Sequence, residues 1–221
     1  MNLYLISGLG ADRRAFEKLA LPPHHTIHHI EWIPPLPKET LENYAHRLTA
    51  GIETSKPFVL VGLSFGGMIA TAMNKWVTPR LTILISSISS YYELPWYFRL
   101  CGRLRIHRLV PRFLLREPGR IVYGLFGART PYEKKLLSVI MSETDPRFIR
   151  WSLDAIFNWR PWQCTGRVVH LHGDRDKILP LKYTSADHII EKGSHFMVMT
   201  RAQKISEILT GLLNDMDDQQ S

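Results

Sequence analysis

One short stretch constrains the fold of this chain more than any other: residues 62–66, which read glycine-leucine-serine-phenylalanine-glycine. An apolar run at residues 58–61 precedes it, and residues 67–76 have the small and apolar side chains of a helix that packs on a sheet. A serine between two glycines at a strand-to-helix junction is typical of a sharp, strained turn that exposes the hydroxyl. The flanking glycines are needed because a Cβ atom there would collide with the adjoining strand and helix. The stretch therefore predicts a layered α/β fold in which Ser64 is a candidate nucleophile.

The other apolar runs complete a pattern of strands that alternate with helices. Strands are predicted at residues 3–6, 26–32, 58–62, 81–86, 167–172 and 188–191, and helices at residues 12–19, 38–52, 67–76 and 200–213. Such alternation implies a three-layer α/β/α sandwich around a mostly parallel sheet of about six strands.

One long stretch interrupts this alternation. Residues from about 91 to 163 have helical, aromatic patterning without a clear strand. A chain of 221 residues is long enough for one well-packed domain and too short for two typical ones. We therefore expect a single α/β domain over residues 1–221, with its core at 1–90 and 164–213. A helical lid should be inserted at about 91–163.

A nucleophilic Ser64 needs two partners elsewhere in the chain. A serine hydroxyl reacts poorly at neutral pH unless a base, usually histidine, takes its proton and a carboxylate orients that histidine. In strand–helix hydrolases the chain order is serine, acid, histidine. Asp174 and Asp176 follow the strand at 167–172, and His195 follows the last predicted strand. Turns after parallel strands meet at one edge of the sheet, so these three side chains are candidate partners.

At these motifs the chain resembles the α/β-hydrolase family, over residues 1–90 and 164–213. The acid turn of that family is similar to residues 172–180, which read histidine-glycine-aspartate-arginine-aspartate-lysine-isoleucine-leucine-proline. This register selects Asp176 as the triad acid, with Asp174 as the alternative. Glycine-serine-histidine-phenylalanine at 193–196 is similar to the family's base turn and selects His195.

The resemblance also implies an oxyanion hole and a reduced version of the fold. Residues 7–10, serine-glycine-leucine-glycine, match the loop after the first core strand, with Ser7 in place of the usual histidine. By the family pattern, the backbone N–H groups of Leu9 and Phe65 stabilise the oxyanion. The first strand corresponds to the third strand of the family, so we expect a sheet without the family's first two strands. Because Asp176 is close to His195 in sequence, we also expect a truncated helix between the last two strands.

The resemblance implies a serine hydrolase that cleaves carboxylic esters or thioesters through an acyl-enzyme on Ser64, without a cofactor or metal. The alternative is a non-catalytic or weakly catalytic binding protein on the same fold. Four histidines around the second strand, His24, His25, His28 and His29, could hold a metal, but we interpret them as polar protection of an edge strand. Gly8 and Gly10 match the first two glycines of a dinucleotide-binding motif. Because Arg13 replaces the third glycine of that motif, we do not expect a nucleotide site there.

The charge of the chain is concentrated in the expected lid. The formal net charge is +8, and residues 91–135 contain ten basic residues against three acidic ones. This segment could engage an acidic partner such as coenzyme A or an acyl carrier protein, or an anionic membrane. No nucleic-acid-binding module is visible. The sequence has only two cysteines, Cys101 and Cys164, and no signal-peptide pattern, so we expect a cytoplasmic protein. It also has no apolar run of about 18 residues, so we expect no transmembrane segment.

Overall fold

The computed structural model describes residues 1–105, 118–159 and 166–218. Its strands are β1 (Asn2–Ile6), β2 (Thr26–Ile30), β3 (Phe58–Leu63), β4 (Leu81–Ile85), β5 (Val168–Gly173) and β6 (His188–Ile190). They form one six-stranded sheet in the order β2-β1-β3-β4-β5-β6, and all five pairings are parallel. The expected parallel sheet of six strands is confirmed, and β2 lies at its edge.

The helices fill the connections between strands and follow the last one. They are α1 (Leu41–Leu48), α2 (Phe65–Met73), α3 (Trp96–Arg103), α4 (Arg120–Phe126), α5 (Pro131–Glu143), α6 (Pro146–Phe157), α7 (Met197–Thr200) and α8 (Ala202–Asp218). The helix expected at 12–19 is only a 3-10 turn at Arg13–Phe16. Between β5 and β6, the helical element is a single 3-10 turn at Leu181–Tyr183, so the expected truncation is present.

Local sequence signals explain where several helices begin. The side chain of Thr40 accepts a hydrogen bond from the N–H of Asn43 and caps α1. Thr130 and Glu133 form a reciprocal capping box at the start of α5, where proline occupies the first turn. At α6 the Asp145 side chain accepts a hydrogen bond from the N–H of Arg147, again ahead of a first-turn proline.

The core has two layers, one on each face of the sheet. Leu3 and Leu5 of β1 belong to an apolar cluster that includes α5 and α8. Tyr4 and Ile6 of the same strand point to the opposite face and belong to a cluster with α1, α2 and α6. This period-2 alternation in a strand buried on both faces is what a three-layer sandwich requires.

Strand order reverses between β1 and β3, because β2 lies on one side of β1 and the later strands follow β3 on the other. In open parallel sheets, ligand sites form beyond the carboxyl ends of the strands at such a reversal. The loop after β1 and the turn after β3 both end here, so the fold brings residues 7–10 close to Ser64.

The segment between β4 and β5 is helical where it is described. It contains α3 to α6, with α3 packed so closely on α6 that a Cβ atom at Gly102 would clash with Phe157. Its role as a lid remains a prediction. Four of its arginines, Arg108, Arg112, Arg116 and Arg160, lie outside the described residues, as does Cys164. Cys101 is a free thiol. Among the described helices, none has the length and apolar character needed to cross a membrane.

Candidate active site

Ser64 lies between β3 and α2 in a strained backbone conformation. Its φ of 50° and ψ of −118° place it outside the regions that non-glycine residues usually occupy. Two hydrogen bonds hold it there: its N–H donates to the Ile85 carbonyl at 2.9 Å, and the Ser87 hydroxyl donates to the Ser64 carbonyl at 2.6 Å. The neighbouring strand β4 and the turn after it therefore fix the position of the Ser64 hydroxyl.

The glycines on either side of Ser64 allow this turn to pack. A Cβ atom at Gly62 would overlap the backbone of Gly66 and Gly67, and one at Gly66 would overlap the carbonyl groups of Ile6 and Ser7. Backbone atoms cannot move aside as a flexible side chain can. The two glycines thus allow β3, α2 and the end of β1 to approach one another closely.

The structure brings Ser64, His195 and Asp176 into one hydrogen-bonded line. Ser64 Oγ lies 2.8 Å from His195 Nε2, and His195 Nδ1 lies 2.8 Å from Asp176 Oδ2. Because a carboxylate only accepts, Nδ1 of His195 carries a hydrogen, and the neutral ring then accepts at Nε2. The Ser64 hydroxyl consequently donates to the atom that could take its proton.

Asp176 is buried, and it is held on both of its oxygens. Oδ1 accepts the backbone N–H groups of Ile178 and Leu179, each at 2.8 Å, while Oδ2 faces His195. Burial alone would raise the pKa of Asp176, but His195 and the N–H of Leu179 outweigh it and keep this pKa below its usual value. The carboxylate is therefore charged and fixed. Asp174, the alternative acid, is exposed, and its side chain has no hydrogen bond to the described residues.

The loop after β1 lies against the Ser64 turn. A Cβ atom at Gly8 would be 3.6 Å from Cβ of Ser64, so the backbone of this loop runs close beside the serine. The Ser7 hydroxyl donates to the Ala11 carbonyl, and the Ala11 N–H donates to Gly8 at 2.9 Å. Where the family has a histidine, Ser7 thus stabilises the turn of the loop.

The N–H groups of Leu9 and Phe65 are the two expected oxyanion donors. Neither donates to a protein acceptor within residues 1–105, 118–159 and 166–218. Phe65 is the first residue of α2 and has no partner in the preceding turn. Both N–H groups are therefore without a described protein acceptor, as oxyanion donors would be.

Two buried histidines of β5, which were not among the candidates from the sequence, extend this line behind Asp176. His172 Nε2 donates to the Leu179 carbonyl at 2.7 Å and lies 3.5 Å from Asp176 Oδ2. His172 Nδ1 lies 3.0 Å from His170 Nε2. Both residues are on the same face of β5, as their spacing of two predicts, but the sequence did not indicate that this face lies behind Asp176.

Burial keeps both of these histidines neutral. It is the main cause of a lowered pKa at His172, although Asp176 and the Leu179 carbonyl act in the opposite direction. Burial, followed by the neighbouring His172, lowers the pKa of His170 to about 4. A neutral His172 that carries its hydrogen on Nε2 directs an N–H towards the backbone and carboxylate of the acid turn.

Parts of the helical segment come close to His195 and Asp176. The Phe126 ring, at the end of α4, packs edge-on against the His195 ring with their centroids 5.4 Å apart. On α3, burial raises the pKa of Tyr97, with further contributions from Tyr183 and Asp176. The Phe126 side chain of α4 therefore covers one edge of the His195 ring.

A sequence model described as "Alpha/beta hydrolase family" matches residues 3–208 of this chain. This chain belongs to the α/β-hydrolase family. The expectation from the sequence is thus confirmed for both family and fold. No curated protein matches the sequence of this α/β hydrolase at a significant level.

Solved structures of the same fold span nearly the whole chain. A putative lipase from Acinetobacter baumannii AYE has a TM-score of 0.68 and 17% identity, covering 99% of this chain and 85% of its own. A lipase-esterase related protein from Clostridium acetobutylicum ATCC 824 has a TM-score of 0.69 and 16% identity, covering 95% and 93%. A thermophilic esterase from Thermogutta terrifontis has a TM-score of 0.65 and 15% identity, covering 97% and 90%. Because the sequence identities are this low, the similarities establish the fold alone.

Proposed function

We propose that this α/β hydrolase cleaves carboxylic esters or thioesters through an acyl-enzyme on Ser64. The observation that carries the proposal is the unbroken line from Ser64 Oγ through His195 to Asp176, with 2.8 Å at each step. This geometry is that of a nucleophile, a general base and an orienting carboxylate. The lipase and esterase names of the structural neighbours agree with it.

In the proposed first step, Ser64 Oγ attacks the acyl carbonyl carbon while His195 Nε2 takes the hydroxyl proton. The carbonyl oxygen becomes an oxyanion that accepts hydrogen bonds from the N–H groups of Leu9 and Phe65. One such donor typically contributes about 100- to 1000-fold to kcat. The intermediate then collapses, the bond to the leaving alcohol or thiol breaks, and His195 returns the proton to that leaving group.

In the second step, water replaces the leaving group. The water oxygen attacks the acyl carbon while His195 Nε2 takes a proton from that water. The bond between Ser64 Oγ and the acyl carbon then breaks, and His195 returns the proton to Ser64 Oγ. Asp176 stays charged throughout and stabilises the imidazolium that forms twice in the cycle. The net reaction consumes one water and releases a carboxylic acid and an alcohol or thiol.

A basic crevice beside the His195 turn supports phosphate-bearing thioesters as one substrate class. Among the described residues, the crevice, about 410 Å³ in volume, is lined by one acid, Glu133, and by five cations, Arg129, Arg175, Lys177, Lys192 and Arg201. Ser194 also lines it, next to His195. A carrier such as coenzyme A has phosphates that such a cluster would attract. The positive charge thus extends beyond the basic segment expected from the sequence.

Hydrolysis of p-nitrophenyl esters and of acyl thioesters tests the proposed reaction. Wild-type protein should hydrolyse at least one ester or thioester series, and Ser64→Ala should lower kcat by at least about 10⁴-fold, because the nucleophile is lost. Equal rates for the folded wild type and Ser64→Ala would contradict the proposal and favour the binding-protein alternative.

A second comparison tests the carrier. Each acyl chain is offered on coenzyme A and on N-acetylcysteamine, a thiol without phosphates. In the double variant Arg129→Gln/Lys177→Gln, KM should rise about tenfold for the coenzyme A thioester only. Arg80→Gln is the matched control, because this exposed arginine precedes β4 and so lies at the opposite edge of the sheet. Equal effects on both thioesters would reject carrier recognition and leave the hydrolase proposal standing.

A further inference from the structure

The four histidines near β2 fall into two separate environments. His28 stacks on Tyr4 with ring centroids 4.8 Å apart, and His29 packs near Phe16. These two belong to the edge strand, as the sequence interpretation expected. His24 and His25 precede β2 and instead meet Asp217, near the end of α8.

His24, His25 and Asp217 place three ligand-type atoms close together. Asp217 Oδ2 lies 3.0 Å from His24 Nε2 and 3.4 Å from His25 Nε2, and the three residues' ligand atoms all lie within 4.8 Å of one another. In a tetrahedral zinc site with bonds of about 2.0–2.1 Å, neighbouring ligand atoms are about 3.3 Å apart. The two distances to the carboxylate match that spacing.

His25 provides a second, independent observation. Its side chain is fully buried, yet neither ring nitrogen makes a hydrogen bond among the described residues, because the 3.4 Å approach of Nε2 to Asp217 lacks hydrogen-bond geometry. A buried imidazole without a partner is costly, and native proteins rarely tolerate one.

The remaining two ligands leave room for entry. His24 is exposed by 57% and Asp217 by 34%, so a cation can reach His25 from solvent. Two imidazole nitrogens and one carboxylate oxygen suit zinc and similar divalent transition metals, with water in the fourth position. Since His24 and His25 precede β2, they lie at the amino edge of the parallel sheet, opposite to Ser64.

We propose that His24, His25 and Asp217 form a binding site for a zinc-type divalent metal that links the loop before edge strand β2 to helix α8. Its role is structural: the metal joins two segments 193 residues apart in sequence and stabilises the edge of the sheet. The site is independent of the proposed ester hydrolysis, because none of its ligands contacts Ser64, His195 or Asp176.

Calorimetric titration of untagged, chelator-treated protein with Zn²⁺ tests the site. An untagged chain is needed because a polyhistidine tag would itself bind the metal. We expect one Zn²⁺ per chain and an increase in Tm of about 5–10 °C at a hundredfold excess over Kd. Co²⁺ in place of Zn²⁺ should give the visible absorption bands of a four-coordinate complex.

Two half-exposed ligands supply the variants, and one exposed neighbour supplies the control. Asp217→Asn and His24→Gln should each weaken binding at least tenfold. Asp215→Asn removes the same charge from an exposed position of α8 and should bind as the wild type does. Absence of stoichiometric binding, or equal affinity in Asp217→Asn and Asp215→Asn, would overturn the proposal. Ester hydrolysis after chelator treatment should be unchanged, so the two proposals can fail separately.

Discussion

Asp176 is the most heavily restrained side chain of the candidate site. Two backbone N–H groups hold one of its oxygens, and His195 lies against the other at 2.8 Å. His172 stands behind it, 3.5 Å from the oxygen that His195 uses. The direction in which His195 points therefore depends on a buried residue that would never touch the substrate. We regard His172 as a positioning residue for the proposed reaction.

Replacing His172 tests this positioning role. His172→Phe removes the N–H that Leu179 accepts, and should lower kcat about tenfold, or about 1.4 kcal/mol in activation free energy, with KM nearly unchanged. His172→Gln can place an amide N–H near the position of Nε2 and should recover part of the loss. Steady-state kinetics on one ester provide the measurement. An unchanged kcat in the folded His172→Phe variant would contradict the role.

The depressed pKa of His170 has a consequence for stability. Its pKa falls from 6.5 to about 4 on folding, so between these values the unfolded chain binds more protons than the folded one. This contribution is fully present above pH 6.5 and is lost as the pH falls towards 4.

Urea unfolding at a series of pH values measures this contribution. His170→Leu should flatten the decrease in unfolding free energy between pH 6.5 and about 4, because the buried titrating group is gone. A decrease that is equally steep in His170→Leu would show that other groups control acid stability.

At the scale of elements, the turn between β3 and α2 depends on glycine for close packing. Gly66→Ala would press a methyl group into the Ile6 and Ser7 carbonyls, so we expect a loss of about 1–3 kcal/mol or more in unfolding free energy. Gly211→Ala is the matched control, since Gly211 in α8 has open space around its Cα. It should stabilise the helix by about 0.5–1 kcal/mol. Chemical denaturation of both variants checks the contrast, and equal stabilities would refute it.

The existence and order of the core elements could be predicted from sequence, because each buried strand is a short apolar run ended by turn residues. Boundaries were less accurate. Helix α2 begins at Phe65 rather than at 67, since the strained serine itself starts the helix. Helix α8 runs on to Asp218, where the sequence indicated an end near 213. Met216 explains part of this extension, because it is buried in the core.

At the scale of the molecule, the sequence placed Ser64 and His195 after the correct strands, but their meeting depends on the sheet. Parallel order brings the turns after β3, β5 and β6 to one edge. The sequence could not predict contacts between distant segments that share no motif. The cations of the basic crevice come from four stretches of chain, and Asp217 meets His24 only in the folded structure.

The central claim is that folding makes Ser64 a nucleophile, and covalent labelling with a fluorophosphonate followed by peptide mass spectrometry tests it most directly. We predict one adduct per folded chain, located on Ser64, and none in Ser64→Ala or in urea-unfolded wild type, where His195 and Asp176 are no longer aligned. A folded wild type that stays unlabelled, or a label that persists in Ser64→Ala, would contradict the claim.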